Sequence, residues 1–172
     1  MENTLYFAYG SNINLDQMAY RCQDASVVGP VMLENYELLF RRGGFATIAP
    51  KEGESVTGLL WSITPGCARS LDRYEGYPRF YDKRMVTVRD SEGRSLSVMA
   101  YIMDERFREP MLPTDSYYNG ILEGYRQNDM PTDSLKRAWD HCVEEVHAMT
   151  EQVNSLFTQR PKPPKGRGNH ER

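Results

Sequence analysis

Cysteine, histidine and tryptophan are scarce in this chain, at three, three and two of 172 residues, and the shortage narrows the chemistry. Cys22, Cys67 and Cys142 are an odd, widely scattered set with no CxxC spacing, which fits a reducing compartment better than a disulfide framework. His141 and Cys142 are adjacent, so on a helix they point about 100° apart, and His147 six positions on does not return to the face of His141. No metal site is expected from them. There is no GxSxG, and neither His141 nor His147 has a recognisable triad partner, so Ser11 does not read as a hydrolase nucleophile. No apolar run approaches the roughly 20 residues needed to span a bilayer, and an N-terminus with Glu2 that turns by Gly10 does not read as a signal peptide. A formal net charge of −3 argues for no polymeric partner. The expectation is a cytoplasmic, enzyme-sized protein without nucleic acid, membrane or cofactor.

What is present is an ordinary globular composition, 40% hydrophobic and 26% charged. Residues 160–172 differ. They hold five basic residues against one acid, interleaved with proline and glycine, which leaves about −7 on the rest of the chain. Such a segment buries nothing and is expected to be a disordered basic tail behind one domain over 1–159. Within that domain, Tyr6–Tyr9 reads as a strand, and Asn14 is placed to cap a helix reaching about Tyr20. Val31–Arg42 and Phe45–Ala49 look extended about a Gly43-Gly44 turn, and Val56–Ile63 continues the pattern. Thr64-Pro65 is a cap followed by proline at the first helical position, opening a helix through Arg73. Phe80–Arg89 and Ser95–Met103 flank Asp90-Ser91-Glu92-Gly93 as a hairpin. Pro-Thr-Asp-Ser stands at 113 and again at 131, and both copies are expected to start a helix by the same capping chemistry. On the last helix Leu135, Trp139, Cys142, Val146, Met149, Val153 and Leu156 recur by fours and threes. That stripe suits packing on the protein's own sheet, or a homodimer through this helix. Strands followed by mostly C-terminal helices give an α+β class.

Two segments carry chemistry. Tyr6-Phe7-Ala8-Tyr9-Gly10-Ser11-Asn12 is a short apolar strand running into a tight turn, whose successive N–H groups make an anion-attracting nest. Leu71-Asp72-Arg73-Tyr74-Glu75-Gly76-Tyr77 ends an amphipathic helix with a glutamate between aromatics. A carboxylate among rings is a candidate for a raised pKa, as a proton shuttle requires. Read alone, Glu75 is equally a solvated helix-end carboxylate, the Gly-Ser-Asn turn an ordinary turn, and Tyr117 a core aromatic at a helix start. Asp72, three positions before Glu75, shares much of its face and competes with it. Arg41 and Arg42 offer charge to steer an anion, though strand-end arginines usually face solvent.

Taken in order, Tyr9-Gly10-Ser11-Asn12, Gly43-Gly44-Phe45-Ala46-Thr47-Ile48, the Leu71–Gly76 helix end and Pro113-Thr114-Asp115-Ser116-Tyr117 resemble the motifs of the γ-glutamylcyclotransferase-like family, over roughly Leu5 to Pro131. The resemblance implies a small mixed β-barrel or strongly curled sheet with flanking helices. It implies cofactor-independent cyclisation of a γ-glutamyl amide or dipeptide to 5-oxoproline, as in glutathione metabolism. Glu75 would be the catalytic base and acid, and Tyr6, Phe7, Ala8, Tyr9, Gly10, Ser11, Asn12 and the hydroxyl of Tyr117 would contact the small γ-glutamyl substrate. The Asn12 form of the turn speaks against the glutathione-specific branch. Action on a lysine-like γ-glutamylamine, or a non-catalytic binding module on the same fold, stay open, and the presence of Glu75 disfavours the second.

Overall fold

The computed structural model describes residues 2–159, so the expectation of a disordered tail over 160–172 lies outside the described residues. Five strands, β1 (Thr4–Ala8), β2 (Ser26–Phe40), β3 (Ala46–Ile63), β4 (Tyr81–Arg89) and β5 (Ser95–Met103), close a barrel in the order β1-β3-β2-β4-β5. All neighbours are antiparallel except β1 and β5, which run parallel and meet at Tyr6 and Met99. Around the barrel lie α1 (Leu15–Arg21), α2 (Pro65–Glu75), α3 (Asp115–Gln127) and α4 (Asp133–Thr158). The α+β class and the mixed barrel therefore stand.

The β2–β3 ribbon is longer than its sequence suggests. The expected break between residues 49 and 56 is an excursion of β3, because pairing jumps from Glu34–Ser55 to Tyr36–Pro50. Asn35 sits at the jump with φ 60°, and its side-chain oxygen accepts from the Gly53 N–H at 3.1 Å. Asparagine tolerates that conformation where bulkier residues do not. Gly58, in the apolar half of β3, has no alternative residue: a Cβ there would fall 2.2 Å from the Phe7 ring and 2.5 Å from the Ala8 carbonyl oxygen.

Helix ends follow capping chemistry. Asn14 accepts from the N–H groups of Asp16 and Gln17, Thr64 from Cys67 and Thr114 from Tyr117. Thr132 does not repeat this: it makes no side-chain cap bond, so the duplicated tetrad caps only α3. Helix α2 runs two residues past the expected Arg73 and stops at Gly76, which takes φ 65°. The Gly76 and Tyr77 N–H groups return to the Arg73 and Asp72 carbonyls, a closure that only a residue at ease in the left-handed region permits.

Two expectations are corrected. The structure joins Cys22 to Cys67, whose Cα atoms are 5.2 Å apart, within the reach of a disulfide. Cys22 follows α1 and Cys67 sits in the first turn of α2, and a separation of 45 residues carries no sign of that meeting. Cys142 is free and buried. The stripe on α4 also divides. Leu135 and Cys142 are buried with Ser134 and Ala138, and Cys142 faces the Phe40 carbonyl on β2. Trp139 is only half-buried, its ring edge-on to Tyr118 at 5.3 Å. Met149, Val153 and Leu156 are exposed, because α4 outruns the barrel it packs on. Among the described residues no helix is long and apolar enough to cross a membrane.

Candidate active site

At the end of β1 the chain leaves the barrel as a 3-10 turn over Ser11–Ile13, with Gly10 before it. The turn is fixed from behind: the Trp61 indole N–H donates to the Asn12 carbonyl at 2.9 Å. Ser11 and Asn12 are both buried polar residues. Facing them is the C-terminal end of α2, so two segments 63 residues apart meet, with the Asn12 side-chain N–H donating to Glu75 Oε1 at 3.1 Å. The same amide donates to the Tyr6 hydroxyl at 2.9 Å.

Between the turn and the helix end lies a cavity of about 290 Å³. The structure brings Tyr6, Tyr9, Gly10, Ser11, Asn12, Glu75 and Tyr117 to its walls. Phe7 and Ala8 are not brought there: Phe7 is fully buried in the core against Gly58, and Ala8 pairs with Leu59 inside the sheet. Tyr117 closes one side, its hydroxyl accepting from the Ala46 N–H at 3.1 Å. That places it 3.4 Å from where a Cβ on Gly10 would stand. The Gly43–Ile48 motif contributes Phe45 and Ala46 to the wall, and Phe45 is edge-on to Tyr117 at 5.3 Å.

Tyr81, Tyr101, Phe80 and Arg73 also line the cavity and were not singled out in the sequence. Tyr81 and Tyr101 come from β4 and β5, where nothing local marks a wall residue from a core residue. The Tyr81 hydroxyl donates to the Ala46 carbonyl at 2.6 Å, and the Tyr9 hydroxyl donates to the Tyr101 carbonyl. Asp72 does not compete with Glu75. It accepts from the Tyr101 hydroxyl at 2.5 Å and from Lys83 at 2.8 Å, one layer behind the cavity. Arg41 and Arg42 do not steer into the cavity: Arg41 pairs with Glu145 at 3.0 Å, and Arg42 lies over the Phe107 ring.

The result is one carboxylate among neutral hydroxyls. Burial pushes the Glu75 carboxyl up to about 7, against the opposing pull of the Arg21 charge and the Asn12 hydrogen bond. Burial likewise raises Tyr6, Tyr9, Tyr81, Tyr101 and Tyr117 well above the ordinary phenol value, so none ionises near neutrality. A carboxyl that titrates near 7 both accepts and returns a proton readily at neutral pH. Among the described residues no group of three or more His, Cys, Asp or Glu is placed to hold a metal ion.

The sequence profile described as "Gamma-glutamyl cyclotransferase, AIG2-like" matches residues 6–119, a span that covers every wall of the cavity. The Bos taurus protein named gamma-glutamylcyclotransferase is 30% identical over 147 residues, 79% of this chain and 77% of that one. The Homo sapiens protein of the same name is 29% identical over 143 residues, 77% and 75% of the two chains. A solved structure named gamma-glutamyl cyclotransferase superposes with a TM-score of 0.72 over 98% of this chain and 95% of its own; at 24% identity it speaks for the fold alone.

Proposed function

This chain belongs to the gamma-glutamyl cyclotransferase, AIG2-like family, and we propose that it cyclises a γ-glutamyl amide or dipeptide to 5-oxoproline, releasing the free amine or amino acid. One observation carries the reading. A single carboxyl, held near neutrality in its proton affinity, faces a Gly-Ser-Asn turn across a cavity the size of a small molecule.

The reaction is intramolecular. The substrate's α-nitrogen bonds its own γ-carbonyl carbon, the carbon–nitrogen bond to the leaving group breaks, and the five-membered lactam forms. No nucleophile from the protein is required. The cavity folds the γ-glutamyl chain so that both ends are within attack distance, an effect worth several kcal/mol, roughly 7–11 at its ideal limit. Glu75 takes a proton from the α-ammonium group and returns it to the departing nitrogen. The second proton, shed by the α-nitrogen once its new bond to carbon has formed, also ends on that nitrogen. The lactam thus leaves neutral, the amine leaves as an ammonium and Glu75 is ionised again. The backbone N–H groups of Gly10 and Ser11, two residues of the cavity wall, would hold the carbonyl oxygen as it gathers charge, and the neutral tyrosine hydroxyls add dipoles without competing as ions.

The test is formation of 5-oxoproline from a panel of γ-glutamyl dipeptides and γ-glutamylamines, with wild type and Glu75→Gln side by side. Release by the wild type and a loss of at least about 10²-fold in the variant, typical of general acid–base catalysis, support the reading. Failure of the wild type on every compound, with ligand still bound, returns the protein to the binding-module alternative.

A further inference from the structure

The Asn12 side chain donates to both Glu75 and Tyr6, and its orientation is not free. Its amide has a carbonyl end and an NH₂ end of nearly equal shape, and only its partners decide which end faces which way. Arg21, the last residue of α1, makes that decision. Its Nη1 donates to Asn12 Oδ1 at 2.7 Å and to Ser11 Oγ at 3.0 Å, while Nη2 donates to Gln17 Oε1 at 2.8 Å. A guanidinium has no acceptor, so the atom it faces must be the carbonyl oxygen. The NH₂ end is thereby turned to Tyr6 and Glu75. The guanidinium itself is held in place over the Tyr74 ring, 3.8 Å from its centre.

We propose that Arg21 is a positioning residue for the reaction, acting through Asn12: by clamping the Asn12 carbonyl and the Ser11 hydroxyl, it keeps an N–H donor on the Glu75 carboxylate. The proposal rests on Glu75 being the proton shuttle. Lysine does not substitute fully, since a point charge cannot grip Ser11, Asn12 and Gln17 at once.

Without Arg21, two changes push Glu75 the same way. The neighbouring positive charge disappears, and the Asn12 amide is free to present its carbonyl, which a protonated carboxyl prefers. Other groups facing Glu75 do not replace it. Tyr6 on β1, Tyr9 just after it, Tyr81 on β4, Tyr101 on β5 and Tyr117 on α3 stay neutral, Tyr74 precedes it on α2, and Arg73 lies at the exposed cavity rim.

The experiment follows the Glu75 carboxyl carbon by NMR through a pH titration, in wild type, Arg21→Met, Asn12→Ala and the double variant, with melting curves to confirm folding. Arg21→Met is expected to raise the midpoint by about one pH unit. The acid limb of kcat/KM moves with it, so the rate falls about tenfold more at pH 6 than at pH 8.5. In the Asn12→Ala background the same substitution moves the midpoint clearly less, as a shared path requires. Arg21→Lys falls between wild type and Arg21→Met, and serves alone if Arg21→Met does not fold. An unmoved midpoint, a rate lost equally at all pH values, or the same shift with and without Asn12 overturns the proposal. Turnover retained in Glu75→Gln defeats the shuttle reading instead, because the titration does not depend on catalysis.

Discussion

Replacing Glu75 by glutamine should make the protein less active and, above neutral pH, more stable. The folded carboxyl titrates at about 7, whereas its ordinary value is 4.5. Between those values the folded protein keeps a proton that the unfolded chain has released, so stability falls as pH rises through the window and the loss is complete above it. The interval between the two values, at about 1.4 kcal/mol per pH unit, comes to about 3 kcal/mol. Water reaching the open side of the cavity reduces this, leaving about 1–3 kcal/mol. Glutamine has no proton to lose, and its carbonyl still accepts from Asn12. Urea unfolding of both proteins at pH 5 and pH 8 measures the effect. The variant should match wild type at pH 5, exceed it by that margin at pH 8, and lose at least about 10²-fold in turnover. A variant that is less stable at pH 8 and still turns over normally would refute the reasoning, since Glu75 would then be a structural carboxylate.

Tyr117→Phe removes the hydroxyl that accepts from the Ala46 N–H and walls the cavity; KM should rise while stability falls by only about 1 kcal/mol, read by steady-state kinetics and melting. Leu135→Ala, at a fully buried position, should cost about 2–5 kcal/mol, and Trp139→Ala, half-buried against Tyr118, less than that; equal costs by denaturant unfolding would mean the Trp139 ring is buried. Alkylation without reductant should label Cys142 alone after unfolding and leave a linked Cys22–Cys67 peptide in the digest. The Cys22→Ser, Cys67→Ser double variant should then lose up to about 4 kcal/mol in the oxidised protein, the chain-entropy value for a loop of this length.

The residues legible in the sequence were those whose role is local. Asn14, Thr64 and Thr114 announce helix starts because a cap needs only its own next three residues. Glu75 and the Gly-Ser-Asn turn stood out by composition and by order of motifs. Tyr81, Tyr101 and Arg21 did not, because their roles depend on partners 9 to 35 residues or more away, set by barrel closure. Phe7 and Ala8 came along with their motif, yet the strand sends them into the core. The outer half of α4 kept a regular apolar stripe that the barrel is too short to cover, and periodicity alone carries no information on where the partner surface ends.

Bonds that shape the cavity bridge long stretches of chain: Tyr9 to Tyr101 spans 92 residues, Tyr117 to Ala46 spans 71, and Asn12 to Glu75 spans 63. No early local element contains two walls of the cavity. Contacts so distant form only after large loop-closure entropy has been met, so they belong to the slow, late part of folding. A nascent chain cannot hold a complete pocket until Tyr117 has joined it. Recovery of turnover during refolding should therefore lag the recovery of helical signal, and catalysis becomes a clock for the final step of assembly rather than for collapse.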